Sequence, residues 1–194
     1  MEIKAHLTEA WELTLEFIAP LIVLTLVMFL VWFLSLGILV PVTFAGYIHS
    51  ILLMTRQGRE PKIQDLFSQL NLFLPLLGFG IIVCIITAIG FIFLTFPGFI
   101  IALIIAVVCF YMIPLMIDNN LGLFAAIKES LSLAMQGKFL DHMVAVIIFI
   151  GIVAVGSSVF IGSLFTQPLA TIFLLTVYEE KIRLRPANGD LPKK

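Results

Sequence analysis

The chain has 194 residues, 61% of them hydrophobic and only 12% charged, with a net charge of −1 and a mean hydropathy of +1.18. A soluble domain of this size needs about a quarter of its residues charged to cover its surface, so the composition argues against one and predicts an integral membrane protein. The net charge gives no footprint for a nucleic-acid partner.

The first segment, Met1–Glu16, lacks the basic start, apolar stretch and cleavage pattern of a signal peptide, so the hydrophobic sequence after it is expected to remain in the protein. Leu7, Trp11, Leu15 and Ile18 share one helical face, and Glu9, Glu12 and Glu16 share the opposite one. This predicts an amphipathic helix lying flat at the membrane surface. Its acidic stripe is expected either to face Arg56, Arg59, Lys62 or the basic tail, or to stay solvated.

Three uncharged runs follow, Phe17–Thr55, Leu66–Ile117 and Met143–Tyr178. One span needs roughly 20 residues, so each run is too long for one and suits two. Two spans per run return the chain to its starting side. All 11 Lys and Arg then stand on that side, which the charge rule makes the cytoplasm. The expected fold is all-α and polytopic. It has six transmembrane helices as three hairpins (about 20–55, 73–117 and 143–180), with cytoplasmic amphipathic interfacial helices between them. A single domain covers 1–185 and a polar tail covers 186–194. Both termini are expected in the cytoplasm, and the compartment is expected to be a bacterial inner membrane.

Each run carries a breaker near its middle: Gly37 and Pro41, then Pro97-Gly98, then Gly162-Ser163 and Pro168. These are expected to form the uncharged outer tips. With tips there, Pro41–Thr55 and Pro168–Tyr178 are short for spans, which leaves one re-entrant hairpin as an alternative.

The charged segments between runs also read as surface helices. Ile63, Leu66, Phe67 and Leu70 recur at helical spacing after Pro61. Leu123, Phe124, Ile127, Leu131, Ala134 and Met135 form a second apolar stripe, with Lys128, Glu129, Ser132 and Gln136 across from it. Asp118-Asn119-Asn120 supplies its caps and Gly137 its stop.

Chemistry-bearing residues are sparse. No carboxylate lies within a predicted span, which argues against proton or cation coupling. His49 is the one ionisable group well inside a run. It is a functional candidate, with a neutral, hydrogen-bonded histidine near the interface as the plainer reading. His6 and His142 add no metal-ligand spacing, and no HExxH, GxSxG or phosphate-binding glycine loop is present. No catalytic residue, cofactor or metal is expected, and Ser157-Ser158 has no base placed to activate it. Cys84 and Cys109 read as small apolar residues. Small residues repeat at i+4 in Gly80/Cys84/Ala88, Gly98/Ala102/Ala106 and Ala154/Ser158/Gly162. They suit close packing within the bundle, with a homo-oligomer face as the alternative.

The stretch Phe96–Phe139 resembles a pattern in the YciC-like family of uncharacterised bacterial inner-membrane proteins. It is similar also to the membrane domain attached to some glycerophosphodiester phosphodiesterases. Pro97-Gly98, Pro114, Asp118, Gly122, Ala126, Ser130 and Lys138 carry the resemblance, with Gly58–Phe67 similar to the preceding loop. The resemblance implies a polytopic helical domain with cytoplasmic termini. It implies no phosphodiesterase activity, because the soluble catalytic domain is missing here. Together the readings point to a non-enzymatic protein that contacts membrane lipids. It acts through its cytoplasmic surface helices on a partner protein or on membrane organisation. A small transporter, channel or lipid-handling protein, with a cavity near His49, Tyr47 and Tyr111, is the alternative.

Overall fold

The computed structural model describes residues 2–93, 95–136, 139–158 and 160–184. Gly137, Lys138, Arg185 and the tail 186–194 lie outside the described residues. Nine α-helices follow in order among those described: α1 (Ile3–Glu16), α2 (Ile18–Leu34), α3 (Val40–Gln57), α4 (Phe73–Phe93), α5 (Thr95–Cys109), α6 (Met112–Asp118), α7 (Leu123–Met135), α8 (Phe139–Ser157) and α9 (Phe160–Arg183). Two short 3-10 turns, Ile63–Phe67 and Leu70–Leu72, precede α4.

Four helical segments are long and apolar enough to cross a membrane: Ile63–Ile92, Pro97–Asp118, Phe139–Ser157 and Ile161–Arg183. A fifth arises if α1 and α2, which meet at 88°, are counted as one bent span. The structure thus carries an all-helical fold with four to five helices of spanning character.

The helix α9 lies at the centre. Every residue from Pro168 to Tyr178 is buried, and α1, α2, α3 and α8 all pack against it. Its 24 residues make a rod of about 36 Å. Gly162, Ser163 and Pro168 lie inside this helix, so the expected tip there is corrected. Helix α8 ends at Ser157 and α9 begins at Phe160, so the residues after Pro168 belong to one helix of 24 residues. Proline costs the helix one N–H, which a long helix packed along its length absorbs. The α8–α9 crossing is fixed by Gly156, where a Cβ would fall 1.6 Å from the Thr166 hydroxyl.

The other breakers act closer to expectation. Gly37 takes a left-handed φ of 85° in the turn between α2 and α3, and Pro41 stands in the first turn of α3. Pro97 and Gly98 lie in the first turn of α5 rather than in the turn itself. Gly98 is also a crossing point: a Cβ there would meet the Phe91 ring at 2.8 Å.

The α4 segment is nearly bare. Only 6% of its most apolar window is buried, and Leu74, Ile81, Ile82, Ile85 and Ile92 are all more than half exposed. In water such a helix would be a large liability, whereas in hydrocarbon it is ordinary.

Candidate functional site

The charged residues assemble around the end of the fold where α3, α6 and α9 finish. Arg56, at the end of α3, makes a two-pronged bond to Asp118 at the end of α6 (Nη1–Oδ1 2.5 Å, Nη2–Oδ2 2.9 Å). Its Nε donates to Glu179 of α9 at 2.7 Å. Only arginine offers this planar set of donors, and one side chain thereby ties three helices. Tyr178 donates its hydroxyl proton to Asp118 at 3.0 Å and accepts from the Asn119 amide at 3.2 Å. Lys181, buried on α9, donates to the Gln136 carbonyl at 2.5 Å, placing a cation at the carbonyl end of α7.

A hydrogen bond and an ion pair flank this network: His6 of α1 hydrogen-bonds Glu180 of α9, and Arg59 pairs with Asp65. Asp65 also accepts from the Ser50 hydroxyl at 2.7 Å. The segment around it was expected to be an amphipathic helix, and it folds instead as the two 3-10 turns. Asp65 draws the chain back onto α3, and Gly46 gives it room: a Cβ on Gly46 would lie 2.2 Å from the Leu66 carbonyl oxygen.

An open cleft of about 680 Å³ lies beside the network, between α1 and the ends of α3 and α9. Glu2, His6 and Glu9 face Arg56, Glu179 and Arg183 across it. Helix α1 runs beside α9 from the His6–Glu180 pair to the Trp11–Phe165 ring contact, 5.5 Å between centroids. Its buried stripe, Ala10 and Thr14, seats on α9. Glu9, Glu12 and Glu16 are exposed, while Arg56 and Arg59 find their partners elsewhere.

Inside the fold, the Pro97–Asp118 segment is interrupted at Phe110 and Tyr111, between α5 and α6. Pro114 explains the break: it offers no N–H to the Phe110 carbonyl, and its ring crowds that carbonyl. Side chains take over the backbone's bonds. Ser130 of α7 accepts from the Tyr111 N–H at 3.1 Å and donates to the Val108 carbonyl at 2.6 Å. His142 of α8 donates from Nε2 to the Val107 carbonyl at 3.0 Å, and its Nδ1 lies 3.2 Å from the Tyr111 hydroxyl. The carbonyl can only accept, so the ring carries a proton on Nε2.

Helix α7 forms where its periodicity placed it, but its buried side is rotated from the predicted stripe: Ala126, Leu133 and Ala134 are buried together with Glu129 and Ser130, while Lys128 and Ser132 are exposed. Ser130 and Glu129 face the protein, while Phe124 (85% exposed), Leu131 and Met135 face outward beside Lys128.

The remaining sequence candidates are dispersed. His49 is half-buried and bonds Ser68 at 3.1 Å. Ala154 and Ser158 are exposed, as are Gly80, Cys84 and Ala88. Gly162 packs on Gly156 instead of continuing an Ala154 stripe. Tyr47 and Tyr111, expected near a cavity, are fully buried. Tyr47 lies 2.9 Å from Thr25, whose own proton goes to the Leu21 carbonyl, so the tyrosine is the donor. No group of three or more His, Cys, Asp or Glu able to hold a metal occurs among the described residues.

Tyr178, Lys181, Gly46 and His142 were not singled out from sequence. Pro114 within an apolar segment was the available signal for the last, since a freed carbonyl needs a donor from elsewhere.

A second concavity, of about 200 Å³, opens between α3, α5, α6, α8 and α9. Phe44, Ile48, Cys109, Phe110, Pro114 and Phe149 are among its lining residues.

No family model, curated protein or solved structure matches the chain. The resemblance of Phe96–Phe139 to the YciC-like family therefore stands on the quoted residues alone.

Proposed function

We propose that the chain is a non-enzymatic polytopic protein of a bacterial inner membrane, with six spans in three hairpins and both termini in the cytoplasm. It acts through its charged cytoplasmic end on a partner protein with a basic surface, and so organises that partner at the membrane. The observation that carries this reading is the open 680 Å³ cleft, where Glu2 and Glu9 line a wall left free by the ion pairs beside it. Bare apolar faces on α4, α5 and α8 support membrane insertion. Charges gathered at the ends of α3, α6 and α9 support one cytoplasmic side. The transporter or channel alternative has less support, because Tyr47 and Tyr111 are committed to core hydrogen bonds.

The partner reading is tested with a photo-crosslinking amino acid at Glu9 in cells. One discrete protein adduct is expected, absent when the probe sits at Ile82. No adduct, or the same adduct from both sites, would overturn it. The topology is tested with single cysteines in a background lacking Cys84 and Cys109. Leu36→Cys and Ser157→Cys should label from outside, and Gly58→Cys and Asn120→Cys only from inside. Labelling of Leu36→Cys and Gly58→Cys from one side would reject the hairpins.

A further inference from the structure

The 200 Å³ groove between α3, α5, α6, α8 and α9 has no role in the network or the cleft. Its walls are apolar side chains of five helices, and it lies along segments that carry no charge from Phe44 to Thr55 and from Ile105 to Ile117. The concavity lies beside the interrupted helix, with Phe110 and Pro114 in its wall, and rigid rings border the space. Phe110 is held edge-on to Phe149, 5.5 Å between centroids, and edge-on to His142 at 5.6 Å. Ile150, at its mouth, is 40% exposed and continues into the exposed surface of α8 at Ile147.

We propose that this groove is a binding site for a single hydrocarbon chain, supplied by a membrane phospholipid. The inference needs only that these helices lie in a membrane, and it is independent of the partner at the charged end. The occupant follows from where the groove opens. Its mouth is continuous with apolar surface on α5 and α8, so the medium against it is hydrocarbon. A polar ligand would find no donor or acceptor among the side chains of the wall, apart from the Cys109 thiol. The volume is below the roughly 300–1,000 Å³ of sites that enclose a drug-sized molecule, so it takes a length of one chain and leaves the headgroup outside. Lipid tails are as apolar as the wall, so retention comes from close van der Waals contact with a preformed shape.

The test is native mass spectrometry of the full chain with phosphatidylglycerol carrying 16- and 18-carbon chains, and in a parallel arm with oleate. The wild type is expected to retain one phospholipid per chain after other lipids are stripped. Ala106→Trp, which fills the groove, should weaken that retention about tenfold, whereas Leu103→Trp on the outer face of α5 should not. Competition by oleate would assign the site to any free chain, and its failure would assign the site to the intact phospholipid. Equal retention by wild type and Ala106→Trp, or equal loss in Leu103→Trp, would overturn the proposal. A second readout covers a poorly folding tryptophan variant. In Cys84→Ala protein, Cys109 should react with N-ethylmaleimide several-fold more slowly with phosphatidylglycerol bound than after delipidation. An unchanged rate would equally overturn it.

Discussion

Ser130 stands in for a missing helical turn: its hydroxyl accepts from the Tyr111 N–H at 3.1 Å and donates to the Val108 carbonyl at 2.6 Å. Both groups lost their helical partners to the interruption before Pro114, and Tyr111 and Ser130 are buried where water does not compensate. An unsatisfied buried polar group costs about 1–3 kcal/mol. Ser130→Ala should therefore lower the melting temperature in detergent by several degrees, at about 2–4 °C per kcal/mol for a chain of this size. Ser130→Thr, which keeps the hydroxyl, should recover part of the loss. An alanine variant that melts like the wild type would show that the break needs no patch.

Arg56 reaches Asp118 with two nitrogens and Glu179 with the third. Lysine cannot reproduce this fork, so Arg56→Lys should destabilise almost as much as Arg56→Ala. The Arg56 side chain is 36% exposed, so solvent screening limits the pair to about 1 kcal/mol. A double-mutant cycle of Arg56→Ala and Asp118→Ala should show non-additivity of that size, shrinking in high salt. Additive losses would mean that the two residues act separately.

Gly46 allows the loop after α3 to lie on the helix. A methyl group there would sit 2.2 Å from the Leu66 carbonyl and 2.5 Å from that of Asp65, and backbone cannot yield as a flexible side chain can. Gly46→Ala should cost about 1–3 kcal/mol as an overpacking defect. It should also make Arg59 and Asp65 contribute less, so that Asp65→Asn costs less in the alanine background than alone. Wild-type stability in Gly46→Ala would show that the loop is not seated as described.

The sequence revealed what depends on local pattern. The position of α7 followed from its 3.6-residue periodicity, although its N-cap is Gly122 with no side-chain cap rather than Asp118, Asn119 or Asn120, and the turn after α2 followed from Gly37 and Pro41. What it missed depends on partners far along the chain. Pro168 resembles Pro41 as a residue, but it sits where α9 is buried on all sides, so packing overrides the break. Ile63–Phe67 has helical spacing, but Asp65 finds Ser50 and Arg59, and these bonds favour a tight turn. The stripe on α7 was correctly located, but its direction was not legible. Phe124, Leu131 and Met135 of the stripe face outward beside Lys128, while Ala134 of the same stripe is buried, so the buried side is set by what α5, α6 and α8 offer it.

That outward face gives the sharpest test of membrane placement. Phe124 is 85% exposed and Met135 62%, on the same side of α7 as Lys128, while Glu129 and Ser130 are buried. Water would penalise the exposed Phe124 and Met135 side chains, whereas the buried Ser130 hydroxyl is compensated by Tyr111 and Val108. An interfacial bilayer removes that penalty and lets Lys128 extend toward the phosphates. A spin label at Phe124→Cys, in protein lacking Cys84 and Cys109, should be more accessible to oxygen than to a water-soluble nickel complex. A label at Thr8→Cys, on the exposed side of α1, should show the reverse. If both labels favour the nickel complex, α7 faces water and its apolar stripe needs a protein partner. If oxygen wins at Phe124 alone, the exposed apolar side chains of α7 face lipid, and the hydroxyl of Ser130 faces inward because the helix break there needs it.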